Sequence, residues 1–144
     1  MASGEESERV VRRFYEVLGE GGTASELMAK LEPILAPDAE WVNPDDAIER
    51  GTRVGAEGWR TALENTQSGL GSSVVYRIEE LIVLAEDRVF ARGHLRTKGT
   101  SSGVEVEGRM LGMDWTIQNG QVRRMEWSFE VDELLARART EAST

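Results

Sequence analysis

Few side chains in this 144-residue chain can do chemistry near neutral pH, and their spacing decides which of them could act together. Cysteine is absent, so thiolate nucleophiles, thiolate metal sites and disulfides are excluded. His94 is the single histidine, and one imidazole cannot build a multi-histidine metal centre. It alternates with Arg92 and Arg96 along a strand-like run, which reads as a polar row facing solvent or a second copy. Asp114 stands in MLGMDWTIQ, an acid among apolar residues. Inside a core with no cation beside it, its carboxyl would be held neutral and act as a donor. Tyr15 either aims its hydroxyl into a pocket or packs its ring on a sheet. Asn43, just before Pro44, is either a polar anchor or a residue capping the loop that follows. Trp41, Trp59, Trp115 and Trp127 either line a pocket or fill a core. Glu79, Glu80, Glu126 and Glu130 read as a hydrated outer face. The glycine run at 19–22 follows a helix instead of preceding one, so it is no phosphate cradle.

These candidates hang on a long C-terminal hairpin, residues 104–131, with Asn119-Gly120 at its tip. Asn-Gly suits a two-residue turn because both central residues take positive φ. Period-2 alternation then assigns faces. Leu111, Met113, Trp115 and Ile117 point one way, and Asp114 points the other with Met110, Gly112, Thr116 and Gln118. On the return strand Met125, Trp127, Phe129 and Val131 share the greasy face. A one-residue slip would bring Asp114 inside but send Trp115 and Ile117 out, so the expected arrangement keeps Met113 in and Asp114 out.

The greasy face needs a cover, and the first half of the chain supplies helices. Val10, Val11, Phe14, Tyr15, Val17 and Leu18 recur at helical spacing, and Gly19, Gly21 and Gly22 end that helix. Thr23 and Glu26 form a capping-box pattern for a second helix, which Pro33 should break near Glu32. Residues 39–43 read as a short strand, 44–55 as a loop and 56–66 as a third helix carrying Trp59. Strands are expected at 74–85 and 88–97, and a short helix at 133–139. Gly93, on the inner row, either leaves room for a ligand or marks a bulge. Helices followed by a strand meander make an α+β domain, a single one over 1–144 with its core at about 7–137.

Charge narrows the partners. Lys and Arg total 17 against 26 Asp and Glu, a net charge of −9. Such a chain, with no basic stripe, is a poor holder of nucleic acid or anionic membrane. No apolar run approaches membrane-span length and the N-terminus has no signal-like core, so the expected location is cytoplasmic.

The stretches VVRRFYEVL, APDAEWVNP, GTRVGAEGW and NGQVRRMEWSFEVDELL, in that order, resemble the SnoaL-like branch of the NTF2-like superfamily, which includes ketosteroid isomerases and limonene-epoxide hydrolases. The resemblance implies a curved sheet wrapped around helices into a cone, a ligand pocket at the open end and a homodimer through the outer sheet face. Site residues transfer only in part. The isomerase tyrosine slot matches Phe14, with Tyr15 beside it, and the base slot matches Asn43, which cannot act as a carboxylate. The acid slot matches Met113, or Asp114 after a slip. The epoxide-hydrolase set matches Gly93, Leu95 and Trp127, all lacking the needed polar groups. A cyclase-type acid would be Asp114.

The expectation is therefore a small-molecule-binding SnoaL-like domain with no metal or other cofactor. Its apolar pocket, lined by Phe14, Trp41, Asn43, Trp59, Met113 and Trp127, would take a hydrophobic cyclic ligand. If it is an enzyme, Asp114 and Tyr15 are the acid–base candidates for isomerase- or cyclase-like proton transfer. The alternative is a non-catalytic dimeric binding or association module.

Overall fold

A computed structural model describes residues 4–45, 51–70, 74–97 and 109–143, with side chains at 67–70, 74–75 and 96–97 outside that description. Two helices, α1 (Gly4–Glu20) and α2 (Ala24–Leu31), precede the first strands, β1 (Leu35–Asn43) and β2 (Gly51–Val54), and a third, α3 (Gly55–Leu70), follows them. Then come β3 (Val74–Ala85), β4 (Arg88–Thr97), β5 (Met110–Gln118), β6 (Gln121–Ser128) and α4 (Val131–Ala142). The six strands form one sheet in the order β2-β1-β6-β5-β4-β3. All neighbours are antiparallel except β1 and β6, which run parallel and close the helical half of the chain onto the C-terminal hairpin.

Local chemistry explains the element ends. The Thr23 hydroxyl accepts from the Glu26 amide at 3.2 Å while the Glu26 carboxylate accepts from the Thr23 amide at 3.0 Å, closing the capping box of α2. Pro33 converts the exit of α2 into a 3-10 turn at Glu32–Ile34. Asn119 and Gly120 take φ of 54° and 74°, the left-handed pair that a two-residue hairpin turn requires.

The register gives the sheet two distinct faces. Trp41, Met125, Trp115 and Val89 lie in one cross-strand row, and Trp127, Met113 and Ala91 in the next; both face α1–α3. The opposite row, Val42, Glu126, Asp114 and Phe90, faces away from those helices. There α4 covers it: Val131, Leu134, Leu135 and Ala138, at helical spacing, pack on Phe90, Ile82, Leu84 and Met110. Gly112 makes room for this helix, since a Cβ there would meet the Phe90 ring at 2.7 Å and the Val131 methyl at 3.3 Å.

Several expectations are corrected. Val131 is not the last inward residue of a strand; β6 stops at Ser128 and Val131 opens α4, because its i+3, i+4 and i+7 neighbours are apolar. The stretch taken as loop contains β2, which adds to β1 and places Asn43 opposite Gly51. β1 begins at Leu35, its Pro37 lying where the pairing with β6 shifts register, so the missing amide breaks no ladder bond. The hairpin's first strand is seen from Met110, and the expected strand start at Val104 falls outside the described residues. Gly93 marks the bulge: the pairing of β3 with β4 shifts between Ile78 and Glu80, and a Cβ on Gly93 would lie 2.1 Å from the Arg77 carbonyl oxygen.

Leu134 is 2 % exposed at the centre of the α4 contact. Replacing it with Ala should destabilise the fold by about 2–5 kcal/mol, the usual cost of a buried Leu→Ala truncation. Urea unfolding of the Leu134→Ala variant measures this, and a loss near zero would mean that α4 is not docked.

Candidate functional site

The inner face is an aromatic cluster. Phe14 stands edge-on to Trp115 (centroids 4.7 Å apart), Tyr15 (5.6 Å) and Trp59 (5.9 Å), and Trp41 meets Trp59 at 5.1 Å. α1 contributes Phe14 and Tyr15 as neighbours on one apolar stripe, α3 contributes Trp59, and β1, β5 and β6 contribute the other indoles. Edge-to-face contacts of this kind are worth about 0.5–1.5 kcal/mol each beyond area burial.

The polar atoms of the cluster are tied to one another. The Trp115 indole N–H donates to the Tyr15 hydroxyl oxygen at 3.0 Å, and the Tyr15 hydroxyl donates to the Met113 sulfur at 2.8 Å. Burial raises the Tyr15 phenol well above its ordinary value; Tyr76 adds to the effect and the Trp115 bond partly opposes it. Tyr76, tilted against Tyr15 with centroids 5.2 Å apart, is raised for the same reason, with Glu79 contributing. Both phenols therefore stay neutral, as donors and not as bases. Thioether sulfur is a weak acceptor, so the Tyr15 hydroxyl spends its proton on a poor partner.

Asn43 is a hub. Its Oδ1 accepts from the Trp41 indole at 3.0 Å and from the Trp127 indole at 2.8 Å, while its Nδ2 donates to the Gly51 carbonyl at 3.3 Å. One amide thus fixes two indole planes and the first residue of β2. The Trp59 indole donates to the Ala39 carbonyl at 3.0 Å, and Trp127, half-buried, continues outward into Phe129 with centroids 5.4 Å apart. Tyr15, Phe14, Trp41, Asn43, Trp59, Met113 and Trp127 are thus brought together on one side of the sheet.

Asp114 is not with them. It lies on the outer row beneath α4, 2 % exposed, with Arg88 donating to its two oxygens at 2.6 and 3.3 Å. Glu126, directly opposite across the strands, is held by Arg137 at 2.6 Å and Arg124 at 3.0 Å. Burial pushes the Asp114 carboxyl above the ordinary aspartate value, and Arg88 opposes that without cancelling it. The alternation that buries Trp115 forces this facing. Asp114 and Glu126 are the buried carboxylates among the described residues; Asp114 is held by Arg88 of β4, which also reaches Glu141 of α4, and Glu126 by Arg137 of α4. His94 also points outward, its Nδ1 2.6 Å from Glu79. A cleft of about 250 Å³ lies where Asp45 and Ser128 meet Glu130, Glu133, Leu134 and Arg137 at the start of α4. Sequence reasoning missed the Arg88–Asp114 pair, although Arg88 and Asp114 both fall on the outer parity of their strands.

No group of three or more His, Asp or Glu side chains able to hold a metal occurs among the described residues, and no helix among them is long and apolar enough to cross a membrane. The architecture, helices packed on a six-stranded mixed sheet, is the NTF2-like α+β fold. The chain belongs to the SnoaL-like domain family, which matches residues 11–125. Among solved structures it is similar to Bal32a from a soil-derived mobile gene cassette (17% identity, TM-score 0.71, covering 87% of this chain and 89% of that one). It is also similar to TerC co-crystallised with polyporic acid (21%, TM-score 0.70, 94% and 98%). A third relative in fold is described as a SnoaL-like polyketide cyclase, from Jannaschia sp. (18%, TM-score 0.64, 94% and 91%). No curated protein matches the sequence.

Two titrations follow from these environments. Tyr15 and Tyr76 are the only tyrosines. With both phenols raised in the folded state, their stabilising contribution is complete below about pH 10, the unfolded phenol value. It is lost as pH rises beyond that. Phenolate absorbance should stay silent through pH 10 and appear in one step with unfolding; a reversible native titration near 10 would contradict the burial of both rings. Asp114 has the same sign: its raised carboxyl keeps a proton in the fold that the unfolded chain has released. The stability of the native protein relative to Asp114→Asn should therefore fall as pH rises above about 3.9, the ordinary aspartate value. Chemical unfolding at a series of pH values measures this, and a rising difference would mean that Arg88 outweighs burial.

Proposed function

We propose that this chain is a small-molecule-binding SnoaL-like domain whose cone takes a hydrophobic cyclic ligand between α1, α3 and the inner sheet face. The observation that carries the reading is the neutral Tyr15 hydroxyl, buried among aromatic rings and donating only to the Met113 sulfur. A ligand carbonyl is a far better acceptor than a thioether and would draw that proton. Trp127 and Met113, half-buried, flank the position, and Phe14, Trp41 and Trp59 form the apolar wall behind it. Asn43 supports the site as a positioning residue, because its amide is already used by two indoles and Gly51. Asp114 takes no part in it, being held under α4 by Arg88.

Proton-transfer chemistry on the same ligand is the second reading, and the fold relatives described as polyketide cyclases and as an isomerase favour it. In this chain such a step would rest on Tyr15 as donor, since Asn43 lacks a carboxylate and the buried acids face outward. Steroid-isomerase turnover is accordingly expected to be absent. A cytoplasmic homodimer belongs to the proposal as well; a second copy meeting the outer face would contact α4 and not bare strands. Sedimentation at high concentration reads that directly.

Binding is tested by tryptophan fluorescence with a neutral polycyclic ketone and its parent hydrocarbon. Both should perturb emission. Tyr15→Phe should weaken the ketone by roughly fivefold, the order of one hydrogen bond. The hydrocarbon should be left unchanged. Failure of every ring compound to perturb the indoles would remove the reading.

A further inference from the structure

The inner row of β5 runs Ile117, Trp115, Met113, Leu111, and the next residue of that parity is Arg109. Its backbone still belongs to the ladder, the Arg109 carbonyl accepting from the Leu95 amide at 2.9 Å. Across the sheet, the register that pairs Met113 with Trp127 brings Leu111 level with Phe129. The Arg109 guanidinium lies over the Phe129 ring, its carbon 3.8 Å from the centroid. Phe129 in turn packs on Trp127, Leu95 and Leu111. So a cation sits at the end of an otherwise apolar row, held flat on an aromatic shelf.

Among the described residues no carboxylate is within ion-pair distance of Arg109 and no side-chain hydrogen bond to it is seen; its guanidinium contact is the Phe129 ring. The arginines of the outer face contrast with it: Arg88, Arg92, Arg124 and Arg137 are each paired with an acid. Stacking limits the guanidinium's rotation and directs its donors edgewise, away from the ring, the arrangement that recognises a planar anionic oxygen pair. Net charge works the other way. A chain at −9 repels anions by default, so a preference for an acidic ligand would have to come from a local cation.

We infer that Arg109, seated on Phe129, is a specificity-determining residue of the cone: the ligand is a hydrophobic ring compound bearing an acidic oxygen group, which Arg109 receives at the mouth while the rings enter between Tyr15 and Trp127. This rests on the proposed ligand site and adds the ligand's charge.

The test compares two probes of one ring skeleton, anilinonaphthalene sulfonate and the uncharged N-phenyl-naphthylamine, on the whole protein by fluorescence titration. The native chain should bind the sulfonate more tightly in spite of its own net charge. Arg109→Gln should weaken the sulfonate about tenfold, the order of a lost charge-assisted hydrogen bond, and leave the neutral probe within about twofold. Arg109→Lys, which keeps the charge and loses the planar fork, should fall between. Half-molar salt should shrink the difference between the probes. Near-UV circular dichroism of each variant confirms an unchanged aromatic core. If both probes bind and Arg109→Gln alters neither or both alike, the role of Arg109 is overturned while the ligand site stands. If the native chain binds neither probe, the ligand site itself is lost and the inference with it.

Discussion

The Trp115 indole has no solvent exposure, and that single burial fixes the facing of both C-terminal strands. Side chains on a strand alternate strictly, so seating Trp115 against Phe14 and Tyr15 turns Asp114 to the other face and Met113 and Ile117 back to the first. The partner strands follow: Met125 opposes Trp115, Trp127 opposes Met113, and Glu126 is carried out opposite Asp114. The sheet acquires one aromatic face and one face where acids alternate with apolar residues. Neither can be left to water. α1–α3 close the first, and α4 closes the second.

The two faces use polarity in opposite ways. On the inner face neutral donors and acceptors satisfy one another: Trp115 to Tyr15, Tyr15 to Met113, Trp41 and Trp127 to Asn43. On the outer face charges do so: Arg88 with Asp114 and Glu141, Arg137 and Arg124 with Glu126. Buried ion pairs add little net stability over an apolar replacement, but breaking one is costly. Their effect is to fix where α4 lies on the sheet. A separation of this kind leaves the interior apolar and short of groups that remove protons.

Much of this is legible in the residues. Asn119-Gly120 marks the hairpin tip, the Thr23–Glu26 pair marks the start of α2, and alternation alone places Met113 inside. What is not legible depends on the third dimension. Val131 continues the alternation of Trp127 and Phe129 and begins the helical spacing of Leu134, Leu135 and Ala138; only the packing on Phe90 decides between them. The burial of Asp114 is hidden because the sequence shows an outward residue and a C-terminal helix but not that the helix docks over it. β2 is four residues with a single apolar side chain, and it is a strand because β1 offers an edge, not because its own pattern demands one. Asn43 reads equally well as anchor or cap until the two indoles converge on it.

We propose the inner face, and not the outer one, as the face that meets a ligand. Indole and carboxyl NMR signals, followed while a neutral ring compound is added, test this most directly. The Trp127 and Trp41 indole N–H resonances should move with saturation while the Asp114 carboxyl carbon and the α4 amides stay in place. Movement of the Asp114 carboxyl and α4 with all four indoles unmoved would contradict it.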